Sequence, residues 1–198
     1  MPQSDLDVII GDLDSLTGAS QSYFEEATGG KVQVIRDRDQ DSSDFTKALR
    51  HIRERKTGSD NHIVCMGGLG GRVDQGLSQL HHLYMFQTSP TYAEGRVYLV
   101  SGESLTFLLK AGTHRIHVRE QKQTKSEDVF EKYVGIIPIR EPSVISTKGL
   151  EWDVEDWLTE FGGQISTSNH VLPETEVVEV RATKDVLFTI ALKGWPAE

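Results

Sequence analysis

Three acidic or glycine-rich segments each follow a short apolar run in the first half of the chain. They are residues 11–15 (Gly-Asp-Leu-Asp-Ser), 39–44 (Asp-Gln-Asp-Ser-Ser-Asp) and 67–75 (Gly-Gly-Leu-Gly-Gly-Arg-Val-Asp-Gln). In an open α/β sheet, the loops that follow the carboxyl ends of the strands meet at one crevice, where ligands bind. Aspartates and glycine backbone at such a crevice favour a polyphosphate that is bound together with Mg²⁺.

Asp12, Asp14 and Asp44 are the candidate metal ligands. Asp44 is predicted at the start of a helix, where a carboxylate is favoured. Magnesium usually takes one or two carboxylates together with water and substrate phosphate, and three aspartates from two loops meet that requirement. The alternative is that all three are ordinary turn and cap residues, because Asp is common in both positions.

The glycine segment at 67–71 is suited to phosphate, although it is not a Walker loop, because no Gly-Lys-Ser/Thr sequence follows it. Glycines directly before a helix let backbone amides approach phosphate oxygens, and Arg72 adds a planar set of donors. Asp74 and Gln75 fall in the first helical turn, where they could bind metal or a neighbouring chain. A tight turn with solvated charges is the alternative.

The composition favours a compact protein and argues against several classes of partner. The chain has 198 residues, of which 37% are hydrophobic, and this is enough for one or two domains with cores. Its net charge of -9 argues against nucleic acid and anionic membranes as partners. Cys65, the only cysteine, lies in an apolar run and is expected in the core. Without a signal-peptide pattern or a membrane span, the sequence predicts a cytoplasmic protein.

The two halves of the chain differ in hydrophobic period. The first half alternates strands with helices, at residues 7–10, 20–27, 31–35, 43–55, 63–66, 73–86 and 97–100. This order predicts an α/β domain with a doubly wound, mostly parallel sheet over residues 1–110. The second half alternates apolar and polar residues between turns, which predicts an all-β antiparallel sandwich or barrel over residues 111–198.

The order of these segments resembles that of the thiamine pyrophosphokinase family. The three segments of the first half are followed by Gly-Leu-Glu-Trp at 149–152 and Phe-Gly-Gly-Gln-Ile-Ser-Thr-Ser-Asn at 161–169, which are similar to the family's second-domain signature. The likeness extends from about residue 5 to residue 194. It implies an ATP-binding α/β domain, a thiamine-binding β-sandwich, and a homodimer with thiamine in a cleft built from both subunits.

The resemblance implies transfer of a pyrophosphoryl group from ATP to the hydroxyethyl oxygen of thiamine, with release of AMP. It implies that Asp12, Asp14 and Asp44 hold Mg²⁺, and that Gln40 and Ser43 lie beside the substrates. It also assigns two larger groups, a nucleotide side with Gly70, Gly71, Arg72, Asp74 and Gln75, and a thiamine side with Ser166, Ser168 and Asn169.

Asp44, Arg72 and Asp74 are the candidate catalytic residues. Metal and arginine stabilise the charge that gathers on phosphate oxygens during transfer, and Asp44 could accept the proton of the thiamine hydroxyl. Trp152 is a candidate to stack on the cationic thiamine rings, and a half-buried core Trp is its alternative role. Phe188 stands where family members often carry Trp.

The chain departs from the family's pattern at its amino end. The family normally begins with a further strand and an Ala-Asp-Gly-Gly-Ala-Asn-type loop, whereas Gly11 lies only ten residues after Met1. We therefore expect the first strand to be missing. The alternative function is a non-catalytic homologue that binds thiamine or thiamine diphosphate. An Asp-x-Asp phosphatase with Asp12 as its nucleophile ranks lower, because Ser15 directly follows the second Asp.

Overall fold

The computed structural model describes residues 5–55, 61–67, 69–120 and 128–194. The chain divides into two compact units, Met1–Thr57 and Gly58–Glu198. In the described ranges, no helix has the length and apolar character that crossing a bilayer requires.

The first unit contains a pair of parallel strands with two helices. Its elements are β1 (Val8–Gly11), α1 (Gly18–Ala27), β2 (Gln33–Arg36) and α2 (Asp44–Arg55). In the register of the pair, Val8 lies opposite Gln33, and Gly11 lies opposite Arg36. Because the two strands are parallel, their carboxyl ends lie side by side, and the loops that carry Asp12 and Asp44 leave from the same edge.

Helix α2 begins at a side-chain cap, and the face that it buries includes a lysine. The Oγ of Ser43 accepts a hydrogen bond from the backbone N–H of Thr46 at 3.2 Å and so caps the first turn of the helix. Leu49 is buried, whereas the apolar Ile52 is exposed. Lys47 is buried instead, so the inward face of the helix carries a charge.

The second unit is a sandwich of two sheets with one helix described in its amino-terminal part. Its elements are β3 (Ile63–Met66), α3 (Val73–Phe86), β4 (Val97–Val100), β5 (Ser104–Leu109), β6 (Gly112–His117), β7 (Phe130–Ile137), β8 (Ser143–Lys148), β9 (Trp157–Thr159), β10 (Ser166–His170), β11 (Val177–Ala182) and β12 (Val186–Leu192). One sheet has the order β10-β7-β12-β5-β4-β3, and the other has the order β6-β11-β8-β9.

The core of the second unit lies between the two sheets. Phe107, Ile136 and Phe188 from the six-stranded sheet pack with Ile145 and Val180 from the four-stranded sheet. On the four-stranded sheet these side chains alternate with more exposed neighbours, as in a half-buried strand, whereas Thr106, Leu108 and Leu187 on the six-stranded sheet are buried as well. An α/β part followed by an antiparallel sandwich is therefore confirmed as the fold class.

The parallel strands are distributed in a way that the sequence pattern does not specify. β1 pairs with β2, and β3 pairs with β4, both in parallel. β4 then pairs antiparallel with β5. The six-stranded sheet therefore combines strands that precede residue 110 in the sequence with strands that follow it. β3 forms the edge of this sheet, and its Val64 and Met66 side chains are exposed.

Cys65 lies inward on β3, and we expect its thiol to react slowly. Burial raises the pKa of this thiol to about 11, so it stays protonated at pH 8, and ionisation favours unfolding as the pH rises toward that value. Alkylation by iodoacetamide at pH 8, followed by mass spectrometry, should be slow in the folded protein and fast in urea. Equally fast labelling without urea would contradict this prediction.

Candidate functional site

The carboxylate of Asp44 lies against the backbone that follows β1. The N–H of Asp12 donates to Oδ1 of Asp44 at 3.1 Å. A Cβ on Gly11 would stand 2.8 Å from both Cγ and Oδ1 of Asp44, which is closer than carbon atoms can approach. Asp44 is also the first residue of α2, where the helix dipole favours a negative charge. The structure thus brings Asp12 and Asp44 together, and glycine at position 11 makes room for them.

Lys47 holds the same carboxylate from the inside of the first unit. Its Nζ lies 3.2 Å from Oδ1 of Asp44, and its side chain is 2% exposed, whereas that of Asp44 is 51% exposed. A buried ammonium group requires a charged partner, because taking it out of water costs several kcal/mol. Lys47 therefore fixes Asp44 at one oxygen while the carboxylate remains open to solvent.

Asp14 lies on the outer side of the same loop. Oδ1 of Asp12 accepts a hydrogen bond from the N–H of Asp14 at 2.9 Å, with Leu13 between them in the left-handed region at φ +67°. Asp14 pairs with Arg36 at 3.5 Å, and both side chains are exposed. An exposed pair contributes only about 0–1 kcal/mol, so Asp14 can exchange this partner for another cation.

Polar side chains of the loop after β2 are paired with Arg50 of α2. Arg50 donates to Oγ of Ser42 at 2.9 Å and lies 3.7 Å from the carboxylate of Asp39. A hydrogen bond from the Ser42 side chain, supported by the positive charge of Arg50, lowers the pKa of Asp39. This network leaves Gln40 exposed in the loop directly before α2.

The glycine segment of the second unit leads into α3 through a bidentate ion pair. Gly67 and Gly71 occupy the left-handed region, at φ +78° and +69°, while Gly68 is outside the described residues. Arg72 donates to both carboxylate oxygens of Asp74, at 2.5 and 3.1 Å, and this bonding lowers the pKa of Asp74. Both side chains are exposed, so the guanidinium can exchange Asp74 for phosphate at little cost. The other predicted residues beside them are Gly70 and Gln75.

Ser168 lines a cavity of about 420 Å³ on the six-stranded sheet. The register between β10 and β7 shifts between Ser166 and Asn169, and Ser168 within this bulge has φ +55°. Leu69 of the glycine segment lines the same cavity, as does Glu103. The predicted nucleotide segment and the predicted thiamine strand thus border one space, which also contains a carboxylate that the sequence analysis did not identify.

A second cavity, of about 210 Å³, is lined by Trp152, Ser166 and Asn169. Asn169 is buried, and its amide donates to the carbonyl of Trp152 at 2.9 Å and accepts from its N–H at 3.2 Å. The indole of Trp152 is 55% exposed and lies 4.9 Å from the ring of His170. Asn169 is therefore engaged in positioning Trp152, whose ring is open to a ligand.

Comparison with known proteins matches both parts of the chain to one family. The profile of the thiamin pyrophosphokinase catalytic domain covers residues 3–94, and that of the thiamin pyrophosphokinase vitamin B1 binding domain covers residues 113–187. Thiamine pyrophosphokinase 2 of Arabidopsis thaliana is 33% identical over 199 residues, which cover 97% of this chain and 68% of that protein. The chain belongs to the thiamin pyrophosphokinase family.

Other members of the thiamin pyrophosphokinase family agree in sequence and in fold. Thiamine pyrophosphokinase 3 of Oryza sativa subsp. japonica is 33% identical over 192 residues, covering 94% of this chain and 66% of that protein. The chain thus spans about two thirds of the length of these curated relatives. The thiamin pyrophosphokinase structure from Candida albicans superposes with a TM-score of 0.79 at 23% identity, covering 94% of this chain and 73% of that one. The yeast structure gives 0.76 at 23% identity, covering 94% and 69%.

Three residues beside the candidate residues were not identified from the sequence, namely Gly11 and Lys47 in the first unit and Glu103 in the second. The role of Gly11 depends on a contact with a residue 33 positions later. The burial of Lys47 contradicts the usual exposure of lysine, although its spacing of three residues from Asp44 on one helix was visible. Glu103 follows a strand end, as the identified aspartates do, and that position was a usable signal.

Proposed function

We propose that the protein transfers the pyrophosphoryl group of ATP to the hydroxyl oxygen of thiamine, giving thiamine diphosphate and AMP. The observation that carries this proposal is the placement of Asp44 at the start of α2 against the Asp12 amide, inside the segment that matches the family's catalytic domain. Such a carboxylate, held by Lys47 yet open to solvent, suits a cation that accompanies a polyphosphate.

Asp12, Asp14 and Asp44 would hold Mg²⁺ in this reaction. In the described parts of the chain, no three Asp, Glu, His or Cys side chains enclose a metal position on their own. This donor set still fits magnesium, which takes one or two carboxylates and completes its shell with water and phosphate oxygens. Bound magnesium would neutralise charge on the polyphosphate.

The glycine segment would bind the phosphates of ATP. Arg72 would leave Asp74 and donate to phosphate oxygens, which accept the same bidentate geometry. Gly70 and Gly71 would let the backbone approach the phosphates, and Gln75 would lie on the nucleotide side. Asp74, once released from Arg72, would be free to act on a metal or on the nucleotide.

Thiamine would bind at the cavities along β10. Ser166 and Ser168 would contact it directly, while Asn169 holds Trp152 in place for its ring to stack on the cation. Gln40 and Ser43 would lie beside the substrates. Asp44 would accept the proton of the thiamine hydroxyl, which frees that oxygen to attack the β-phosphorus.

We also propose an assembly and a location for the protein. We expect a homodimer, with an ATP-binding domain at residues 1–110 and a thiamine-binding domain at residues 111–198. We expect it in the cytoplasm, where ATP is available and a lone cysteine remains reduced. The mass of one chain is 22.1 kDa, and analytical ultracentrifugation at micromolar concentration should give twice this mass.

Replacing Asp44 with asparagine tests the proposed function. The variant keeps the shape of the side chain but removes its charge, so we expect kcat to fall about 100-fold or more at saturating magnesium. The measurement is thiamine diphosphate formation, followed by chromatography and mass spectrometry. Asp7→Asn, an exposed carboxylate outside both loops, is the matched control and should retain full activity. Near-normal turnover of Asp44→Asn would contradict both proposed roles of Asp44, as a magnesium ligand and as the acceptor of the thiamine proton.

A further inference from the structure

A cavity of about 380 Å³ lies in the second unit beside strand β6, and none of its lining residues belongs to the proposed substrate site. β6 is an edge strand of the four-stranded sheet. Leu105, Phe107 and Ile190 line the cavity from the six-stranded sheet, and Ile116 lines it from β6. These side chains provide an apolar floor between the two sheets.

Apart from Tyr98 and Thr113, the polar residues of the lining are basic. Arg96, His114, Arg115 and His117 line this cavity, and its described lining contains no aspartate or glutamate. The whole chain has a net charge of -9, so a group of basic residues in one cavity differs in sign from the net charge of the protein. Burial lowers the pKa of His114, and Arg115 lies opposite Glu179 in the register between β6 and β11, so Arg96 supplies the positive charge that favours an anionic ligand in this cavity.

Arg96 is held in place without a carboxylate. Its Cζ lies 3.6 Å from the centre of the Tyr92 ring, and across the described ranges no aspartate or glutamate forms an ion pair with it. Asp185 lies close enough to Tyr92 to contribute to the raised pKa of that hydroxyl. Its carboxylate forms an ion pair with Lys110 at 2.6 Å and not with Arg96. Stacking on an aromatic face leaves the edge of a guanidinium available for a planar, bidentate acceptor.

We propose that this cavity binds a small aromatic carboxylate. The carboxylate would accept hydrogen bonds from Arg96, since that pairing is bidentate and charge-assisted. The aromatic body would lie against Tyr98 and Phe107, whose rings meet edge to face at 5.4 Å. The site is separate from the one that pyrophosphoryl transfer would use, so it stands or falls independently of the proposed function.

The test is a calorimetric titration of the full chain with 2-naphthoate and with its neutral analogue 2-naphthamide. We expect one naphthoate per chain, bound about tenfold or more tightly than the amide, because a charged hydrogen-bond partner adds at least that factor. Arg96→Met keeps an apolar stem over Tyr92 and should weaken naphthoate binding about tenfold. Arg140→Met, which removes an arginine at a different cavity, should leave the affinity unchanged.

Several outcomes would overturn the proposal. These are no saturable binding of naphthoate, equal affinity for the amide, or unchanged affinity in Arg96→Met. Displacement of naphthoate by thiamine or by magnesium-ATP would show that the cavity is part of the substrate site and would also overturn it. Leu105→Phe, which fills the cavity from the six-stranded sheet and keeps Arg96, gives a second test if Arg96→Met unfolds. It should abolish naphthoate binding, and retained binding would contradict the proposed location.

Discussion

Replacing Gly11 with alanine is expected to lower kcat for thiamine diphosphate formation about 100-fold. The added methyl group would stand 2.8 Å from the carboxylate of Asp44, so Asp44 must move away from the amide of Asp12. When a group that positions the reactants is displaced by about 1 Å, the rate can fall by a factor of this size. Steady-state kinetics at saturating magnesium and both substrates measure the effect.

The control for this substitution is Gly18→Ala in the same unit. A Cβ on Gly18 would meet no atom within 4 Å, and alanine suits the start of α1 better than glycine does. We therefore expect normal turnover and equal or slightly higher stability in Gly18→Ala. If Gly11→Ala turned over as fast as this control, the contact between Asp44 and the first loop would have no role in the reaction.

Replacing Phe188 with alanine is expected to lower the free energy of unfolding by about 3–5 kcal/mol. The side chain is fully buried between the two sheets, and its ring lies 5.3 Å from that of Phe107. Truncation would leave a cavity in the middle of β12, where neighbouring strands on both sides limit collapse. Urea denaturation followed by tryptophan fluorescence measures the change.

Phe161→Ala is the matched control, because this phenylalanine is 66% exposed. Its truncation should change the free energy of unfolding by less than about 0.5 kcal/mol. A loss below about 1 kcal/mol for Phe188→Ala would contradict the packing described for the sandwich core.

Elements with a strong local pattern could be predicted from the sequence. The apolar runs at β3 and β4 and the helical period of α3 give the observed bounds, Ile63–Met66, Val97–Val100 and Val73–Phe86. The alternating residues of β11 give its bounds in the same way, because a half-buried strand shows its two faces in the sequence, and the apolar run of β12 marks a strand that is buried along most of its length. The segments after the strands of the first half resemble those of the family closely enough to predict the function without any tertiary contact.

Strands β9 and β10 could not be predicted, because their pairing is imposed by neighbouring strands. β9 has only three residues, Trp157–Thr159, which is too short to show a period. β10 is the polar run Ser166–His170, and it pairs with β7 through a shift in register. Neither has the alternation by which a strand is recognised, so tertiary contacts decide their conformation.

The predicted site residues gave the chemistry but not the contacts that hold it. Asp12 and Asp44 were identified from their positions after strands, since loops at one sheet edge converge. The need for glycine at position 11 arises from a carboxylate that only the folded chain brings there. The burial of Lys47 depends in the same way on what packs against α2, which helical period alone does not specify.

The measurement that tests the central claim most directly is AMP release from magnesium-ATP by the purified 198-residue chain, with and without thiamine. Transfer of a pyrophosphoryl group predicts that AMP appears only with thiamine, in a one-to-one ratio to thiamine diphosphate, and that no ADP forms. Release of ADP, or of AMP without thiamine, would contradict this reaction. The absence of AMP from a folded chain that still binds thiamine would contradict it as well and would show a non-catalytic binding protein.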